Sequence, residues 1–160
     1  MRGSMMWMPL VLMACGGGEK GGDTGSLGTD SAEVEELRRL IEGYDSWPQP
    51  VAGIVASSAG HGAFVENWLN DTANATVAAQ AGGDMPDGAI LVKQGYSDEA
   101  GADRANLTVM WKTGGDWFWV AFKPDGSVAT EGFTADMGAP CVSCHEADDG
   151  QQDLVVTYDW

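Results

Sequence analysis

Histidine is nearly absent from this chain, with two in 160 residues, His61 and His145. Cysteine is almost as scarce, with three: Cys15, Cys141 and Cys144. A structural zinc site takes four protein ligands, and the cluster Cys141, Cys144, His145 supplies three, with only His61 elsewhere to complete it. Positive charge is also short. Eight Lys and Arg stand against 24 Asp and Glu, a formal charge of −16. A polyanion of this kind repels nucleic-acid backbones and anionic lipid surfaces, so nucleic-acid binding is excluded. The acidity serves solubility in an exposed compartment, and a basic redox partner protein would be attracted to it. No apolar run approaches the ~20 residues needed to cross a bilayer, no internal repeat is visible, and no methionine follows His145.

What is present begins with a sorting signal. Residues 1–14 hold one early cation, Arg2, then a short apolar run ending Leu12-Met13-Ala14 before Cys15. The run fits the h-region of a secretory signal, and Leu12 to Cys15 resembles a bacterial lipobox, with Met13 bulkier than the usual occupant. Residues 15–29 read CGGGEKGGDTGSLGT, a flexible glycine-rich tether of the kind a lipid anchor requires. The expectation is a lipoprotein signal at 1–14, lipidation at Cys15, a tether at 15–29 and a folded domain over 30–160. By resemblance to known sorting rules, Gly16 after the cysteine points to the outer membrane, with the domain in the periplasm.

The folded part reads as α+β, a mainly antiparallel sheet with a few short helices. Val34, Leu37, Ile41 and Tyr44 recur at helical spacing, with Asp30 and Glu33 set as a capping box. Ala63–Leu69 reads as a strand, Thr72–Gln80 as a short helix. In Ala89–Tyr96, Ile90, Val92, Gln94 and Tyr96 share one face, and Leu91, Lys93 and Gly95 share the other. Leu107–Lys112 and Trp117–Phe122 flank Gly114-Gly115 as a hairpin. Leu154–Tyr158 reads as a last short strand.

The chemistry is concentrated in Cys141-Val142-Ser143-Cys144-His145, the C-x-x-C-H pattern of c-type haem attachment. Two thiols at this spacing can add to two vinyl groups on one porphyrin edge, and the adjacent histidine then ligates iron from one face. His145 is the expected proximal ligand, with one covalent haem c as cofactor. A thioredoxin-like C-x-x-C would need a βαβ setting that is missing, and a plain disulfide would leave His145 idle. The motif stands late, with 15 residues after His145. Once the signal leaves, the remaining methionines are Met85, Met110 and Met137. Met137 is too near the attachment site to reach the opposite face easily, and Met110 alternates within a strand as core. The sixth iron position is therefore expected to be open, which suits a small ligand more than electron transfer alone. His61 remains a candidate for that position, as ligand, proton relay or loop residue.

These residues together resemble the cytochrome P-460 and cytochrome c′-β family. The strand DGAILVKQGY (Asp87–Tyr96), the aromatic strand WFWVAFKPDG (Trp117–Gly126), the late CVSCH and the closing DLVVTY carry the likeness, in that order, from about Gly60 onward. The resemblance implies a mainly antiparallel fold, a homodimer, and five-coordinate iron with histidine on the proximal side. It implies chemistry on small nitrogen species: hydroxylamine oxidation in the P-460 branch, nitric oxide binding in the c′-β branch. In P-460 members a lysine in the strand matching DGAILVKQGY bonds to the porphyrin rim, and Lys93 stands at that position. Such a bond needs a neutral amine, which burial favours; otherwise Lys93 pairs with a haem propionate or faces solvent. Trp117, Phe118 and Trp119 put aromatics on both faces of one strand, to pack against the haem or to form core on one face and a dimer contact on the other. Glu66 is expected on an early strand and Glu131 and Asp136 in the loop before the C-x-x-C-H motif, and nothing in the sequence places any of them over the iron. The competing reading is a membrane-anchored electron carrier with six-coordinate haem.

Overall fold

The computed structural model describes residues 30–57, 60–79, 83–147 and 153–155. The signal segment 1–14, Cys15 and the tether 15–29 lie outside the described residues, as does the expected last strand beyond Val155. Six strands form one antiparallel sheet in sequence order: β1 (Val55–Ala56), β2 (Phe64–Leu69), β3 (Ile90–Tyr96), β4 (Arg104–Thr113), β5 (Asp116–Phe122) and β6 (Val128–Phe133). Helix α1 (Ala32–Leu40) precedes the sheet, α2 (Asp71–Ala79) connects β2 to β3, and α3 (Thr134–Glu146) follows β6. The α+β expectation holds, and no helix among the described residues is long and apolar enough to cross a membrane.

The sheet separates two apolar layers. Helix α1 buries Val34 and Leu37 against Trp68, Ile90, Val92, Val109, Phe118 and Val120, each fully buried aliphatic contributing about 1.5–3 kcal/mol. Leu69, Leu91, Met110, Trp117 and Trp119 point to the other side, where they meet Met137 and Val142 of α3. The period-two alternation read in β3 is therefore the division between the two layers.

Three local expectations need correction. The cap of α1 is Ser31, whose hydroxyl accepts from Val34 N at 3.2 Å; Asp30 instead binds Arg38. Glu131 and Asp136 are not in a loop: Glu131 lies in β6 and Asp136 in the first turn of α3. The strand β6 and the helix α3 were not foreseen, whereas the β4–β5 hairpin through Gly114-Gly115 is as expected. Between β2 and α2, Asn70 holds the corner: its side-chain oxygen accepts from Ala73 N and from Ile90 N, both at 3.0 Å.

Candidate functional site

The register of the sheet builds one wall. Asn67, Lys93, Thr108 and Ala121 are successive cross-strand partners across β2, β3, β4 and β5. A second row, Leu69, Leu91, Met110 and Trp119, runs beside it on the same face. Helix α3 lies over this wall, and between them is a recess lined also by His61, Met137, Cys141, His145 and Val155. The row of Leu69, Leu91, Met110 and Trp119 is apolar, and the row beside it carries Asn67, Lys93 and Thr108.

Cys141, Cys144 and His145 share one side of α3, because residues three and four apart stack on a helix surface. Cys141 is half-buried and Cys144 exposed, both as free thiols. Burial pushes the Cys141 thiol up, and Cys144 adds to the shift. His145 is buried, with its ring edge-on to Trp119 at 4.9 Å between centroids. The Trp119 indole in turn donates to Thr134 Oγ1 at 3.2 Å, tying the start of α3 to β5.

The most informative contact is His145 Nδ1 to the Leu154 carbonyl oxygen, at 2.6 Å. A carbonyl only accepts, so Nδ1 carries the proton and Nε2 is the basic nitrogen. That tautomer is the one a histidine needs to ligate iron through Nε2. The carbonyl is set by an unusual turn, in which Asp153 and Leu154 are both left-handed, with φ of 47° and 65°. Non-glycine residues in that region cost about 1–3 kcal/mol each. The turn is held by a cluster around Asp153. Its carboxylate accepts from Lys112 Nζ at 2.9 and 3.0 Å and from Met85 N at 2.9 Å. Its carbonyl accepts from Trp117 Nε1 at 2.7 Å.

Lys93 sits in the middle of the wall. Burial lowers its pKa from the ordinary lysine value, toward the neutral amine. His61 approaches from the segment before β2. Its Nδ1 lies 3.2 Å from Thr108 Oγ1, and its ring centre is 6.2 Å from that of His145, nearly perpendicular. Burial first, then the charges of Lys93 and His145, push His61 down to about 4, so it is neutral at physiological pH.

Cys141, His145, Lys93 and His61 line one recess, with Cys144 exposed one helical turn along α3 from Cys141. The acidic candidates do not lie there. Glu66 lies in the register row of Gln94 and Leu107, on the α1 side, where it accepts from the Tyr96 hydroxyl at 2.8 Å. Glu131 is opposite Val120 on that same side and accepts from Ser31 Oγ. Asp136 is exposed on α3. No described residue lining the recess is a carboxylate. Missed by the sequence reading were Lys112, Asp153 and Leu154, whose pairing spans some 40 residues and has no local signature.

This set fits a haem. Two thiols and an imidazole of the right tautomer share one helix face, beside a largely apolar recess flanked by tryptophan and methionine. Groups of three or more His, Cys, Asp and Glu able to hold a bare metal ion are absent among the described residues. No curated protein matches the chain. The family model for cytochrome P460 matches residues 41–157, which includes all six strands, α3 and the C-x-x-C-H motif. The chain belongs to the cytochrome P460 family, whose membership implies a haem.

Proposed function

We propose that this protein is a mono-haem c-type cytochrome that binds small nitrogen species, nitric oxide foremost, at an iron whose distal position is open. Cys141 and Cys144 would hold the porphyrin by two thioether bonds, and His145 Nε2 would be the proximal ligand. The bound haem would supply an iron able to take up a small ligand. The protein's own residues do the rest. Leu154 fixes the His145 tautomer, Trp119 orients the ring, and the apolar wall excludes water.

The observation that favours binding over hydroxylamine oxidation is the lining. Oxidation of hydroxylamine releases protons with its electrons and calls for a positioned base; uptake of nitric oxide does not. The described lining offers no carboxylate, and His61, held down near 4, is a weak base. The deciding experiment adds nitric oxide to the reduced protein and follows its absorption spectrum, then assays hydroxylamine turnover with an artificial electron acceptor. The expected result is a spectral change with nitric oxide and little turnover. A reduced protein blind to nitric oxide ends the proposal. The buried Lys93 is the feature that points to the oxidising branch, since it supports a bond to the porphyrin rim; peptide mapping that recovers an unmodified Lys93 peptide would dismiss that bond.

One observation favours a second reading. Two imidazoles on one metal, with metal–nitrogen bonds of about 2 Å, have ring centres about 6 Å apart. The His61–His145 separation of 6.2 Å has that value. On this reading the haem is six-coordinate and the protein is an electron carrier; a high-spin resting spectrum would count against it. On either reading we propose export, lipidation at Cys15 and anchoring to the outer membrane with the haem domain in the periplasm. The same proposal includes a homodimer and a basic redox partner drawn by the acidic surface.

A further inference from the structure

We infer that the Lys112–Asp153 ion pair is a positioning device for the proximal histidine, setting the strength of the bond that His145 would make to iron. The inference rests on the proposed role of His145 as iron ligand.

A buried ion pair seldom adds stability over an apolar pair of the same shape, because desolvation offsets the attraction. Its presence beneath this recess therefore calls for a geometric reason. Both side chains are largely buried, at 8% and 13% exposure. Four hydrogen bonds converge on Asp153: two from Lys112 Nζ, one from Met85 N and one from the Trp117 indole. The next residue, Leu154, presents its carbonyl to His145 Nδ1 at 2.6 Å. Both residues hold left-handed backbone, which an aspartate tolerates but which nothing in the Leu154 side chain favours. The cluster thus pays for a strained turn whose product is one short hydrogen bond to the imidazole. Such a bond pushes electron density onto Nε2, strengthens its donation and favours the oxidised metal.

Lys112 and Asp153 would themselves bond neither porphyrin nor iron, so the test must read the iron–histidine bond itself. The double variant Lys112→Met with Asp153→Asn removes both charges while keeping volume and an acceptor for Met85 N. In the haem-loaded, reduced protein, the iron–histidine stretch in resonance Raman should move to lower wavenumber and the reduction potential should rise. The His145 Nδ1 proton should exchange with solvent about tenfold faster, the loss of one ordinary hydrogen bond. The control is Arg38→Met, which breaks the ion pair with Asp30 on the opposite side of the sheet and should move none of the three. Unchanged stretch, potential and exchange in a fully loaded double variant overturn the inference, as do equal shifts in the control. If the double variant does not fold, Asp153→Asn alone is read by the same three measurements. A wild-type protein that carries no haem overturns the reading of the site and this inference with it. A loaded wild type with an unmoved variant overturns this inference alone.

Discussion

Replacing Gly95 by alanine should damage both the fold and the recess. Gly95 follows Lys93 by two residues on the same face of β3, where the backbone of His61 crosses it. A Cβ at position 95 would lie 1.7 Å from the His61 carbonyl oxygen and 2.9 Å from Asn106 Oδ1. Carbon and oxygen settle no closer than about 3.3 Å, so the His61 backbone must retreat by about 1.6 Å. It is poorly placed to do so, because the neighbouring Ala63 N is bonded to Tyr96 O at 3.0 Å and Gly62 is itself packed on Tyr96. Overpacking of this kind costs about 1–3 kcal/mol, and an obstacle made of backbone belongs at the upper end. For a domain of this size that corresponds to a fall in Tm of roughly 10 °C. Thermal unfolding of the haem-loaded protein measures it, and the absorption spectrum should change as His61 leaves Thr108. Gly60→Ala is the control: its Cβ would meet nothing within 4 Å. A Gly95→Ala protein that melts with wild type and the control would refute the account of why glycine stands there.

Three further outcomes follow from the same geometry. The Tyr96 phenol is pushed up to about 12 by burial and by the adjacent Glu66 carboxylate. A raised folded-state pKa contributes stability that is complete below the unfolded value near 10 and is lost as pH rises through about 12. Tyr96→Phe should therefore cost about 1 kcal/mol at neutral pH, flatten the alkaline limb between those values and remove the latest tyrosine from an absorbance titration. Ser31→Ala removes the cap of α1 and the contact with Glu131, and should cost about 1 kcal/mol in denaturant unfolding. Cys144→Ser should leave haem attached through Cys141 alone on a denaturing gel, whereas replacing both cysteines should abolish the haem stain; retention without either thiol would contradict covalent attachment.

The legible parts of this protein are those whose cause is local. The C-x-x-C-H spacing is a pattern contained in five residues, and the two faces of β3 follow from alternation between Ile90 and Tyr96. The hairpin at Gly114-Gly115 announces itself by glycines at positive φ, 61° and 81°. What escaped is what distant residues impose. Strand β6 has an exposed, unalternating pattern and sits at the sheet edge, so nothing in VATEGF marks it. Helix α3 contains Gly138 and Pro140, both poor helix formers; it is helical because Met137, Val142 and His145 are buried against the sheet. The C-x-x-C-H motif was readable for the same reason that its surroundings were not. Cys141, Cys144 and His145 are brought together by one helical turn. The wall they face depends on the register that aligns Asn67, Lys93, Thr108 and Ala121, and a slip of one residue would have presented Glu66 and Gln94 to the recess instead. Register is set by the whole sheet, so the absence of a carboxylate from this wall, on which the choice between binding and oxidation turns, is a property of the fold and not of any segment within it.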